Sequence, residues 1–282
     1  MSLPISVVIL SFNAEATLGR TLDSARLVSD DLHVVDSGST DGTLAIAEAA
    51  GATIVAHPFV DYAAQRNWAI DHLALRHPWQ LHLDADERLS AEAVAEIRAL
   101  ADEPGLDGYL IPRLVHFMER PIRHGGMYPI YHARLFRTGR GRVEARRYDQ
   151  HFAITGTVRA LRQPMIDDIR MGLSEWTARH NRWSDLAVED ALAPQPGRIK
   201  GRLFGNALER KRWLRECYGA APLGIRALAL FCYRYILRLG FLDGRAGLIF
   251  FVLQCFWFNF LIDAKLWERR RATSSCKETA PP

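Results

Sequence analysis

Over its first hundred residues the chain alternates short apolar runs with stretches whose apolar positions recur three and four residues apart. Pro4–Ser11 (PISVVILS) reads as a strand buried on both faces. It does not read as a leader, because the run from Leu3 to Phe12 lacks a basic segment and a small-residue cleavage site. Ala14–Leu27 follows as a helix, with Leu18, Leu22 and Ala25 on one side. Leu32–Asp36, Ala52–Ala56 and Gln80–Asp84 are predicted as further short strands. Thr43–Ala50, Tyr62–Leu75 and Ala91–Leu100 are predicted helices. This alternation predicts a parallel sheet covered on both faces by right-handed crossovers. Ligands of such sheets bind at the carboxyl ends of the strands.

After residue 105 the pattern changes. Gly108–Phe117 reads as a longer strand, and Tyr131–Arg137 and Val158–Leu161 as shorter ones, so antiparallel pairing is expected here. Ser174–Leu192 is a predicted helix with Trp176, His180, Trp183 and Ala187 recurring on one side. The Pro194–Gly197 stretch breaks the chain. Residues 1–193 are therefore expected to form one domain, 198–271 a helical extension, and 273–282 a disordered tail.

The extension has its own chemistry. It carries 15 Lys/Arg against 5 Asp/Glu, together with two apolar runs, Ala227–Leu239 and Ala246–Ile262. The second run is interrupted by Gln254 and Asn259 and falls short of the ~20 apolar residues of a spanning helix. The preferred expectation is a monotopic attachment to an anionic membrane surface. The competing one is a soluble helical subdomain or dimer interface.

Charge is divided along the chain. Residues 1–100 hold 14 acidic and 6 basic side chains; the other 182 hold 18 and 30. An acidic first part suits a metal-bound diphosphate, and a basic remainder an anionic surface or acceptor. No nucleic-acid-binding motif accompanies the basic part, so no nucleic-acid partner is expected. The four cysteines, Cys217, Cys232, Cys255 and Cys276, have no ligand spacing. Neither a disulfide framework nor a zinc site is expected, and a reducing, cytoplasmic compartment fits.

Four clusters could carry chemistry. Ser11 and Asn13 end the first strand, where polar groups can meet a base or ribose; Asn13 could instead cap a helix. Asp36 ends the second strand in VVDSGSTDGT, where Gly38 and Gly42 permit a tight turn. Asp36 can accept hydrogen bonds from a nucleobase or ribose, while Asp41 stands between ligand contact and helix cap. Asp84, Asp86 and Glu87 end the fourth strand in LHLDADE. Hard cations such as Mg2+ or Mn2+ need oxygen ligands of this kind. Strand alternation would aim Asp84 and Asp86 to the same side. Arg66, in Gln65-Arg66-Asn67, could stack on or hydrogen-bond a nucleotide.

Taken together and in this order, SFNAEATLGRTLDSA, VVDSGSTDGT, QRNWAI and LHLDADE resemble glycosyltransferase family 2. The resemblance is strong over residues 3–100 and continues through Tyr131–Arg137 (YHARLFR), Asn181-Arg182-Trp183 and Gly240–Arg245 (GFLDGR). It is closest to the branch of lipopolysaccharide core β-1,4-glucosyltransferases and exopolysaccharide enzymes. What it implies is a GT-A fold, an NDP-sugar donor (commonly UDP), a divalent metal, and inversion at the anomeric carbon. It implies that Asp36 and Arg66 contact the nucleotide, with Ser11 and Asn13 beside it. Asp84 would approach ribose or metal, and Asp86 would ligate the metal.

One departure matters. Related enzymes often carry Val-His-Glu where this chain has Tyr148-Asp149-Gln150. Gln150 cannot take a proton, so Asp149 is the expected general base, with His151 and Glu144 in reserve. The expected function is transfer of a hexose from a nucleotide-diphosphate donor to a hydroxyl of a lipid-linked glycan. The expected location is the inner face of the cytoplasmic membrane. The alternative is a non-catalytic nucleotide-sugar-binding or membrane scaffold with a degenerate site. A nucleotidylyltransferase is disfavoured because no glycine- and basic-rich loop follows the first strand. A nicotinamide dehydrogenase is disfavoured because GxGxxG is missing there.

Overall fold

The computed structural model describes residues 3–144, 151–193 and 222–278. Contacts divide the chain into two compact units, Met1–Arg170 and Met171–Pro282.

In the first unit, β1 (Ile5–Ser11), β2 (Asp31–Asp36), β3 (Thr53–Ala56) and β4 (Trp79–Asp84) lie in the order β3-β2-β1-β4, all parallel. Every residue of β1 is buried, as its uninterrupted apolar run requires. One face of the sheet packs on α1 (Leu18–Arg26), α2 (Thr43–Ala49) and α4 (Ala91–Arg98), through Val7, Ile9, Leu22, Ala47 and Ile97. The other receives α3 (Tyr62–His72), where Val8, Leu10 and Val35 meet Ala69. Asp61 and Ser90 accept from Ala64 N and Ala93 N and so cap α3 and α4.

Beyond β4 the sheet changes character. β8 (Ile130–Arg137) runs antiparallel between β4 and β6 (Gly108–Phe117). β12 (Met165–Ile169) is parallel to β6, and β5 (Glu87–Leu89) closes the edge antiparallel to β12. β7 (Arg120–Pro121) and β11 (Val158–Ala160) also pair with β6. The expected mostly parallel sheet is thus parallel through four strands and mixed beyond, because β8 returns through its middle. α1 begins at Leu18 and not at Ala14. The amides of Ala14 and Glu15 are taken by Thr43 Oγ1 and Asp41 Oδ2, so these residues form a turn.

The second unit holds α5 (Leu173–Leu192), α6 (Ile225–Cys232), and a long helical run. That run comprises α7 (Gly244–Phe251), a π-helical turn (Val252–Trp257) and α8 (Phe258–Glu278). α5 packs on this run: His180, stacked on Trp176, meets the side-chain oxygen of Gln254 in the π-helical turn at 3.1 Å, and Lys265 Nζ of α8 donates to Asp185 at 2.6 Å. This packing places α5 in the second unit. The Pro194–Gly197 breaker lies outside the described residues. α8 continues to Glu278, so the stretch expected to be disordered from 273 is helical to that point.

Candidate functional site

The register sets Ser11 beside Asp36, at the carboxyl ends of β1 and β2. Ser11 is buried, and its hydroxyl donates to Asp36 Oδ1 at 2.9 Å. Asp36 Oδ2 accepts from the backbone of Gly38 at 2.9 Å and of Ser39 at 2.8 Å, and the Ser39 hydroxyl donates to Oδ1. Burial opposes the charge of Asp36, but these donors outweigh it and hold the carboxyl below its ordinary range. Gly38 adopts φ +92°, a left-handed turn that brings the two amides onto one oxygen. A carboxylate offers about four acceptor sites; the loop supplies three donors and Ser11 of β1 the fourth. Ser11 and Asp36 therefore hold the loop together.

Asn13 belongs to the same lock. Its Oδ1 accepts from Thr40 N at 2.8 Å, and its own amide donates to Ser39 Oγ at 2.8 Å. It caps no helix; Thr17 occupies the N-cap of α1. Glu15 accepts from Gly42 N at 2.9 Å, and Asp41 accepts from Thr43 N at 3.0 Å at the mouth of α2. The loops after β1 and β2 are thereby cross-linked into one rim. From α3, the buried Gln65 donates to Ser37 Oγ at 3.2 Å and meets His57 at 2.7 Å.

The end of β4 is held differently. Arg66, 3% exposed, reaches from α3 to donate to Leu83 O at 2.8 Å and to Asp84 Oδ1. Arg134 from β8 donates to Asp84 Oδ2 at 2.8 Å and to Glu87 Oε1 at 2.7 Å. Glu87 in turn accepts from Asp84 N at 3.0 Å. Burial opposes the charge on Asp84, but Arg134 and Arg66 overcome it and hold the carboxyl well below the usual range. Burial raises Glu87 against the pull of Arg134, with Asp84 and Asp167 adding to the rise. Arg66 is thus engaged with the end of β4.

A turn at Ala85–Asp86 ends β4, so simple strand alternation does not carry from Asp84 to Asp86. Asp84 has a guanidinium on each oxygen, and no group of three or more His, Cys, Asp or Glu able to hold a metal occurs among the described residues. The residues therefore do not build a protein-only cage. They fit a cation that arrives with a diphosphate and takes one carboxylate, the half-buried Asp86, a mode that Mg2+ accepts because it keeps phosphate and water ligands.

The stem of the segment carrying the expected base stands beside this clamp. β9 (Gly141–Val143) pairs antiparallel with β10 (Phe152–Ile154), and Glu144 N donates to His151 O at 3.1 Å to close the stem. Asn67 pins the hairpin by donating to Val143 O and accepting from Val143 N, each at 3.0 Å. The Phe152 ring rests 5.1 Å from His82 and under Arg66 and Arg134, both 5.8 Å from its centroid. Asp149 and Gln150 lie outside the described residues. The reserves Glu144 and His151 are exposed.

Two groups went unassigned in the sequence. Arg134 was visible within YHARLFR, but nothing local marks it as the partner of acids 47 and 50 residues away. His132, two residues before it, has a buried Nε2 without a hydrogen-bond partner and a ring 6.1 Å from that of His151. Burial, with Arg113 and Arg134 nearby, pushes its imidazole down to about 3, so it is neutral.

Residues 6–170 match the family model described as Glycosyl transferase family 2. An uncharacterized glycosyltransferase of Rickettsia bellii (strain RML369-C) is 38% identical over 106 residues, which are 38% of this chain and 35% of that protein. The matched stretch thus spans about a third of the length of the Rickettsia relatives. The lipopolysaccharide core biosynthesis glycosyltransferase LpsC of Rhizobium meliloti (strain 1021) is 29% identical over 200 residues, 67% of this chain and 72% of LpsC. Among solved structures, S. aureus TarS 1–349 in complex with UDP-GlcNAc overlays at a TM-score of 0.47 and 13% identity, covering 95% of this chain and 92% of that one. Glucosyl-3-phosphoglycerate synthase from Mycobacterium tuberculosis, in complex with Mn2+, UDP and glucosyl-3-phosphoglycerate, overlays at 0.30 and 25% identity, covering 40% of this chain and 44% of that one.

Proposed function

The chain belongs to glycosyltransferase family 2, and from that premise we propose that it transfers a hexose from a nucleotide-diphosphate donor to a hydroxyl of a lipid-linked bacterial glycan. Its first unit has the GT-A fold. The donor in this reading is a UDP-hexose, the anomeric carbon inverts, and the glycan belongs to lipopolysaccharide or exopolysaccharide. The observation that carries the reading is the carboxyl edge of β1, β2 and β4. Two cross-linked loops there stand next to a carboxylate that two arginines hold ionised and immobile. The match to LpsC, which extends over two thirds of the chain, favours a lipopolysaccharide-type acceptor.

The nucleoside would lie on the rim made by residues 11–15 and 36–43, with its diphosphate toward Asp84 and Asp86. Mg2+ or Mn2+, held by Asp86 and the donor's own phosphate oxygens, would supply positive charge against the departing diphosphate. Asp84 does not need to reach the donor to matter. Fixed by Arg66 and Arg134, it keeps the end of β4 in one position. Asp149 takes the proton of the acceptor hydroxyl, a contribution of about 10²–10⁴-fold in rate. Glu144 and His151 at the loop stem are the nearest substitutes.

Gln150 favours a second reading, a nucleotide-sugar-binding scaffold that does not turn over. Thermal stabilisation by a panel of UDP- and GDP-sugars, with and without Mn2+, followed by transfer to truncated glycans, separates the two. Asp86→Ala should abolish the metal-dependent part of donor binding. Asp149→Asn should slow transfer by about 10²-fold or more with donor affinity nearly unchanged. Stabilisation by no nucleotide-sugar would overturn both readings. Stabilisation without transfer to any acceptor would leave the scaffold.

A further inference from the structure

The second unit ends in a helical hairpin whose turn is apolar and uncovered. α6 and a π-helical turn (Tyr233–Leu237) form its first arm, and a 3-10 turn (Gly240–Asp243) leads into α7. The arms meet closely. A Cβ on Gly240 would come 2.7 Å from the Phe251 ring and 2.9 Å from Arg234 O, so a glycine is required there. Arg226 and the buried Asp263 form an ion pair at the other end of the hairpin. Phe250, Phe251, Cys255 and Phe258 are all buried within the unit.

Ile236, Leu237, Leu239, Phe241 and Leu242 at the turn are 46–73% exposed. They fall within seven consecutive positions. The chain here passes from the π-helical turn through Leu239, at φ +61°, into the 3-10 turn, so these five residues do not lie along one regular helix face. A rigid protein partner would touch some of them; a fluid apolar medium touches all. Residues 233–245 also carry Arg234, Arg238 and Arg245 against Asp243, a net charge of 3 − 1 = +2. Arg238 and Arg245 are exposed. Apolar groups ringed by exposed arginines match the boundary between anionic headgroups and acyl chains.

The depth is limited by the rest of the unit. Gly240–Arg271 is long and apolar enough to cross a membrane, with a mean hydropathy of 1.7. From Gln254 to Lys265, however, the helix carries polar contacts to His180, Asn181 and Asp185 of the charged α5. That leaves 240–253, about 14 residues or ~21 Å, against a hydrocarbon core of about 30 Å. The Arg269–Arg271 triplet lies roughly 26 residues beyond Arg245, about 39 Å along the helix. It is therefore at the far end from the apolar turn.

We propose that the turn at residues 233–245 inserts into one leaflet of an anionic bilayer and holds the protein on the membrane surface without crossing it. The inference goes beyond the transfer reading and does not depend on it. Flotation of the full-length protein with phosphatidylglycerol-containing vesicles and with phosphatidylcholine vesicles tests it, with sedimentation and UDP affinity measured on the same samples. The protein should float with the anionic vesicles and less with the neutral ones. Leu237→Glu with Leu242→Glu should cut partitioning at least tenfold. Arg238→Gln with Arg245→Gln should cut it by about 25-fold, at roughly five-fold per arginine, and remove the preference for anionic lipid. Replacing Arg269, Arg270 and Arg271 with Ala should change it little. Circular dichroism and UDP affinity of the turn variants should match the parent, since these side chains are exposed and lie outside the donor site. A folded, monodisperse protein that floats with neither vesicle would overturn the proposal. So would a dimer that Leu237→Glu and Leu242→Glu dissociate, which would assign the turn to a second copy of the chain. Loss of binding in the triplet variant alone would equally overturn it.

Discussion

Replacing Arg134 with methionine removes the cation that touches both Asp84 and Glu87 while keeping most of the side-chain volume. Taking one partner from a buried ion pair costs about 3–5 kcal/mol, because the remaining charge has neither water nor a counter-ion. Asp84 is 32% exposed and keeps Arg66, so the loss falls chiefly on Glu87, which is 2% exposed. The lower end, about 3 kcal/mol, is expected, equivalent to about 6–12 °C for a unit of this size. The sign with pH follows from Glu87. Burial already raises its folded pKa above the unfolded value, and removing Arg134 deletes the largest opposing influence. In the variant the charged form is therefore destabilising above that raised pKa, and protonation relieves it as pH falls. Asp84 behaves oppositely. Its folded pKa is depressed, so its contribution is present above the ordinary carboxylate range and lost only in stronger acid. The deficit should be largest near pH 8 and shrink toward pH 5. Urea unfolding at both pH values measures it, and Arg134→Met with Glu87→Gln should recover much of the loss at pH 8. A deficit under about 1 kcal/mol, or one independent of pH, would show that the Arg134 clamp does not hold the end of β4.

Asp36→Ala removes the acceptor of four donors and should loosen the 36–39 turn as well as any base contact. UDP affinity by calorimetry should fall by about 1.5–3 kcal/mol, the range for a hydrogen bond to a charged group; unchanged affinity would separate this loop from the nucleotide. Asn67→Ala should free the β9–β10 stem by removing both of its bonds to Val143. Hydrogen exchange across residues 141–144 and 151–154 should accelerate by about 30-fold, at roughly 1 kcal/mol of net stabilisation for each of the two bonds, and unaltered protection would mean that Phe152 packing alone holds the stem.

Much of the first unit was legible because its elements are local. β1, β2 and β4 are continuous apolar runs, and α2, α3 and α4 begin at the expected residues Thr43, Tyr62 and Ala91. β5, β9, β10 and β12 were not legible. Three to five residues cannot show a period, and Met165–Ile169 contains two aspartates that read as loop until β6 and β5 supply its partners. The order and types of the acidic and polar residues at the strand ends were readable from the chain alone, together with the family they resemble.

What those residues do with their charges was a matter of tertiary structure. Asp36 is filled by donors from its own loop and from Ser11, which stands 25 residues earlier. Arg66 and Arg134 converge on Asp84 from 18 and 50 residues away, across a helix and an antiparallel strand. A carboxylate's protonation and freedom depend on burial and on which donors come within about 3 Å. Both are set by how distant segments pack, and no local pattern encodes them. Hydrophobic periodicity is local and survives in the sequence; the partner of a buried charge is non-local and exists only once the sheet has formed.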